Sequence, residues 1–94
     1  MDASARADRA GLFTCPHTGV ALAALLELLD DGTIGRDERV VVVSTAHGLK
    51  FADTKVGYHA GELAQIQSSH ANQPVELEAS PEAVIGALRA RLSF

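Results

Sequence analysis

The sequence predicts an α/β fold of about two strands with flanking helices, and three observations carry that reading. Arg39-Val40-Val41-Val42-Val43-Ser44-Thr45 sets four valines in succession. With no alternation both faces must be covered, as in a parallel strand inside an α/β sheet. Val20 to Leu29 is interrupted in its apolar character only by Glu27, so it predicts a helix buried on most sides. Finally, Val75 and Leu77 form a short strand, with Glu76 and Glu78 turned outward, and a capped helix follows it.

Taken in order, Met1 to Ala10 is rich in good helix formers and is closed by Gly11. Its apolar positions are mostly alanine, so alone it buries little. Thr14-Cys15-Pro16-His17-Thr18-Gly19 reads as a turn into the second helix, with Pro16 at the first helical position. Cys15 then falls at the cap, where cysteine is a poor choice, so something besides capping must hold the turn. Asp30-Asp31-Gly32 ends that helix, Gly32 supplying a left-handed cap. Ala46 to Lys50 is a loop at the end of the valine strand. A short helix lies around Asp53 to His59, and Gln65 to Gln73 is loop. In the last helix Ser80 caps, Pro81 sits first, and Arg89 and Arg91 lie near the negative end.

Ninety-four residues allow one domain at most. The net charge of −4 leaves no basic excess for a nucleic-acid backbone. Cys15, the one cysteine, cannot form an internal disulfide, which fits a reducing, cytoplasmic setting. The longest apolar run, Val20 to Leu26, is too short to span a membrane, and Asp2 and the polar residues after it do not make a signal peptide.

These elements do not close on themselves. An interior parallel strand needs neighbours on both sides and helices over both faces, and the chain offers one good strand and one marginal one. The inference is a single partial domain, residues 1–94, completed by more chain.

Several groups of residues are candidates for chemistry. Ser44-Thr45-Ala46-His47-Gly48 lies at a strand C-terminus, where parallel sheets bind ligands, and carries two hydroxyls, an imidazole and a glycine. An ordinary polar turn is the alternative. Cys15 at a helix start has the setting of a lowered thiol pKa, but His17, two residues on across Pro16, is poorly placed as its base. A buried structural cysteine is the competing reading. Cys15, His17, His47, His59 and His70 lack metal-ligand spacing, so no metal site is expected. Lys50 and Lys55 both read as solvated lysines rather than Schiff-base formers. Glu62, Glu76 and Glu78 make no carboxylate pair, and no Gly-rich phosphate loop is present.

Leu12 to Leu25 (with Cys15-Pro16-His17-Thr18-Gly19), Val41 to Phe51 (with Ser44-Thr45-Ala46-His47-Gly48-Leu49-Lys50) and Lys55-Val56-Gly57-Tyr58-His59 resemble, in this order and spacing, the C-terminal end of the threonine synthase family, most closely its plant-like branch. The resemblance covers nearly all the chain from about Arg9. It implies the tryptophan-synthase β-like fold, fold type II among pyridoxal 5'-phosphate enzymes, with this chain as the C-terminal part of the large domain. It implies conversion of O-phospho-L-homoserine and water to L-threonine and phosphate. The Schiff-base lysine and phosphate loop of the family lie upstream and match no position here, so the chain alone is expected to be inactive. Lys50 matches the family's His-Gly-Leu-Lys motif and not that lysine. A hydroxyl at this strand end bonds the cofactor's pyridine nitrogen in the family. By motif match that is Thr45, with Ser44 the near alternative. A regular strand would send the two to opposite faces. The implied partners are the missing N-terminal part of the enzyme and the small-molecule substrate, and a homodimer is among the possible assemblies. A stand-alone small α/β regulatory or interaction domain, and the end of another fold type II enzyme such as a serine or threonine dehydratase, are the competing readings.

Overall fold

A computed structural model describes residues 1–93. Four α-helices follow in order: α1 (Asp2–Arg9), α2 (Pro16–Asp30), α3 (Ala52–Ala60) and α4 (Pro81–Leu92), with a 3-10 turn at Gly48–Phe51 leading into α3. Local chemistry accounts for each. In α1, Asp2 sits in the first turn and Arg6 and Arg9 in the last, each complementing the helix dipole. Pro16 opens α2, and α2 stops at Asp31, whose side chain accepts from the Thr33 amide (2.8 Å) just past Gly32 at φ 80°. α3 ends at Gly61 in the left-handed region. Ser80 Oγ caps α4 by accepting from the Ala83 amide at 3.1 Å.

The packed centre is small and lies at the N-terminal end. α1 rests on the head of α2 through Ala3, Ser4 and Ala5, all buried. The approach is close: a Cβ built on Gly19 would stand 2.8 Å from Ser4 Cβ. Small residues are therefore what lets α1 dock, so its alanines bury more than their size alone suggests. Tyr58 and Lys55 of α3 complete this centre.

Neither expected strand belongs to a ladder. Residues 39–45 and 75–77 carry no strand pairing, and Val41 and Val43 are 83% and 72% exposed. A strand is defined by its neighbours' hydrogen bonds, and the described residues offer that segment no neighbouring strand. The pairing found among them is one antiparallel bridge, Thr14 to His47, with Cys15 N–H donating to Ala46 O (3.3 Å) and Gly48 N–H to Phe13 O (2.9 Å). The buried α2 is likewise not observed: Thr18 and Gly19 are its buried residues, and Val20 is 70% exposed.

The accessible surface is 7108 Å², against about 5,200 Å² for a folded monomer of this mass. The radius of gyration is 16.0 Å, against about 12 Å for a compact domain of this length. The excess lies where the sequence puts its apolar side chains, on α2, the valine run and α4.

Candidate functional site

The site forms where the turn before α2 meets the end of the valine run. Cys15, fully buried, is the N-cap of α2, and its sulfur accepts from the Thr18 amide at 3.4 Å. The Thr18 hydroxyl lies 3.3 Å from the same sulfur. The backbone bonds to Ala46 and Phe13 described above hold the turn as well, which is the support beyond capping that a cysteine cap called for. Hydrogen bonds from the Thr18 side chain and amide, with smaller help from Thr45 and His17, bring the thiol down to about 6 against the opposing effect of burial.

Both predicted hydroxyls reach this head. Ser44 Oγ lies 3.3 Å from Thr18 Oγ1, and Thr45 Oγ1 lies 3.9 Å from Cys15 Sγ. Strand alternation survives in part. Val42, Ser44 and Ala46 line an open cleft of about 570 Å³ with Phe13, Thr14 and Thr18, and Thr45 is not among its walls. The two side chains leave the backbone differently but converge on adjacent atoms of one turn, because Cys15 and Thr18 are themselves side by side. Both residues are exposed.

The flanking loop is braced. His47 Nδ1 accepts from the Leu49 amide at 3.1 Å and caps the 3-10 turn. Its ring lies 5.7 Å from that of Phe13. Gly48 is required by contact, since a Cβ there would meet Phe13 Cδ1 at 2.7 Å. His17 packs edge-on against Phe51 at 5.4 Å. Lys50 is exposed, as a solvated lysine is. Among the described residues no three His, Cys, Asp or Glu side chains converge as a metal site, and no helix is long and apolar enough to cross a membrane.

Lys55 departs from the solvated reading. It is 3% exposed, its ammonium donates to Ser4 Oγ (2.8 Å) and Asp8 Oδ2 (2.5 Å), and it lies 4.7 Å from the centre of the Phe13 ring. Ser4 Oγ continues to Thr14 Oγ1 at 3.3 Å. Asp8 Oδ2 also faces His59 Nε2 at 3.5 Å. Tyr58 donates to Asp2 and accepts from the His70 amide at 3.1 Å. The bond from Tyr58 lowers the Asp2 carboxyl, whereas burial first and Asp2 second raise the Tyr58 hydroxyl. The sequence did hold a signal for this network: Lys55, Tyr58 and His59 stand at helical spacing on α3, and α1 carries acids at Asp2 and Asp8.

No protein-family model matches the chain. Over 89 residues, 95% of its length, it is 49% identical to "Threonine synthase 2, chloroplastic" of Arabidopsis thaliana. The chain is homologous to a part of threonine synthase. A second match, 42% identical over 50 residues, is "Threonine synthase" of Methanocaldococcus jannaschii. The matched stretch spans 17% and 12% of these relatives' lengths. Threonine synthase homology implies the fold type II architecture of pyridoxal-phosphate enzymes. The residues present suit one end of that cofactor. Thr45 is an exposed residue whose neutral hydroxyl has, among the described residues, only the long contact to sulfur, while Ser44 is engaged by Thr18 at shorter range. Lys55 has its ammonium bound to Asp8 and Ser4 and is no candidate for a Schiff base.

Proposed function

We propose that this chain is the C-terminal part of the large domain of a threonine synthase, which converts O-phospho-L-homoserine and water to L-threonine and phosphate. The 49% identity to a named threonine synthase over 95% of the chain carries this reading. The uncovered apolar surface supports it too. Val20, Val41 and Val43 are exposed in this chain, and the remaining enzyme supplies the neighbouring strands and helices that bury them. In that setting residues 39–45 become an interior strand.

Pyridoxal phosphate, when bound, supplies an electron sink that lets protons leave carbon. Thr45 would hold the pyridine nitrogen through its hydroxyl. A neutral hydroxyl, unlike a carboxylate, orients the ring without requiring the nitrogen to stay protonated. Ser44 keeps its hydroxyl on Thr18 and so braces the strand end against α2. Proton transfer and phosphate binding fall to residues upstream of this chain.

The test is a Thr45→Ala substitution in the complete enzyme, with cofactor affinity, cofactor absorption and turnover of O-phospho-L-homoserine measured together. Loss of one neutral hydrogen bond weakens cofactor binding by about 2- to 10-fold and shifts the absorption. Unchanged affinity, spectrum and turnover refute the role of Thr45. Turnover of only unphosphorylated serine or threonine by the complete enzyme refutes the reaction.

A further inference from the structure

We propose that Cys15 is the positioning residue for Thr45, its buried sulfur fixing the Thr45 side chain at the position from which it meets the cofactor. The proposal deepens the reading of Thr45 given above and rests on it.

The geometry carries the argument. Cys15 Sγ sits at the centre of a chain of polar atoms running from Ser44 Oγ to Thr18 Oγ1, to the sulfur, and on to Thr45 Oγ1. Cys15 has no exposed surface, so water does not reach the sulfur or its contacts with Thr18. Its sulfur is anchored from behind by the Thr18 amide, a rigid backbone donor in the first turn of α2. The two hydroxyls are sorted by this arrangement. Ser44 is held on Thr18 at the cleft wall, and Thr45, an exposed residue that is not part of that wall, lies with its hydroxyl 3.9 Å from the sulfur. Either atom of the sulfur–Thr45 pair can donate; with the cofactor bound, the thiol donates to Thr45 Oγ1 and leaves the one Thr45 proton free for the ring nitrogen, and without it the hydroxyl turns to the sulfur and helps to lower the thiol pKa. The titratable side chain that joins these hydroxyls in setting it is His17.

A cysteine that merely fills space would be replaceable without regard to Thr45, and a double-mutant cycle separates the two roles. Cys15→Ala, Thr45→Val and the double variant are prepared in the complete enzyme, and pyridoxal phosphate affinity is measured by titration. Cys15→Ala is expected to weaken affinity about 2- to 10-fold with Thr45 present and to add nothing once Thr45 is valine. Equal losses in both backgrounds overturn the positioning role and leave the Thr45 reading standing. No loss from Thr45→Val overturns both. A second readout needs no cofactor: the ultraviolet absorbance of the Cys15 thiolate, taken as the difference from Cys15→Ser, has a midpoint that Thr45→Val raises. An unmoved midpoint shows that sulfur and hydroxyl do not touch and also overturns the proposal. Should Cys15→Ala not fold, the thiolate midpoint, compared between the parent and Thr45→Val, decides by itself.

Discussion

Removing Asp8 tests the buried charge pair that docks α1. Lys55 is 3% exposed, and its ammonium has two oxygen partners, Ser4 and Asp8. Breaking a buried pair by deleting one partner costs about 3–5 kcal/mol, because the other charge stays desolvated. Here Ser4 Oγ and the face of Phe13 remain beside the ammonium, which sets the expectation for Asp8→Ala at the lower end, about 3 kcal/mol. At 1.36 kcal/mol per factor of ten, opening of α1 becomes about 150-fold more frequent. Lys55→Met costs more, since Asp8 then keeps one buried oxygen, Oδ1, that has no partner even now. The assay is amide hydrogen exchange over residues 2–9 in the complete enzyme. Combining Asp8→Leu with Lys55→Met restores most of the protection, because two apolar side chains leave no charge stranded. Exchange in Asp8→Ala within twofold of the parent refutes the reasoning, as does a double variant as labile as its singles combined.

Two further outcomes follow from contacts at the same centre. Gly19→Ala places a carbon 2.8 Å from Ser4 Cβ, so α1 must shift at a cost of about 1–3 kcal/mol; faster exchange confined to α1 is the expected readout. The Asp2–Tyr58 contact has a pH window fixed by its two shifts. The Asp2 carboxyl is lowered from 3.8, so its contribution is full above that value and is lost as pH falls through the folded-state pKa. The Tyr58 hydroxyl is raised from 10.0, so its contribution holds below that value and is lost as pH rises through the folded-state pKa. An NMR titration of the Tyr58 ring should give a midpoint above 10.0 that Asp2→Asn brings down; a midpoint at the ordinary tyrosine value refutes the contact.

Local structure was legible where short-range chemistry decides it. Pro16, Gly32, Ser80 and Pro81 act on neighbours within one turn, and the helices they bound are found. The valine run was legible as apolar on both faces, but a strand is made by its neighbours' hydrogen bonds, and the described residues offer residues 39–45 no such neighbour. The site was half legible. Motif resemblance picks out Ser44 and Thr45, and the structure places both at the α2 head. Lys55 was misread because a lone lysine among polar residues looks solvated, and its partners Ser4 and Asp8 stand 51 and 47 residues away. The alternation argument separates Ser44 from Thr45 only in part: Ser44 lines the cleft and Thr45 does not, yet both reach the first turn of α2.

The last helix has a consequence for what must lie against it. α4 carries its own cap at Ser80 and its own proline start, yet none of its twelve residues is buried. Isolated helices of that length are marginal in water, so α4 persists only when its Val84, Ile85 and Leu88 side find a seat. Its helicity is therefore a reporter of cover: amide exchange over Pro81–Leu92 should slow whenever another surface seats that side.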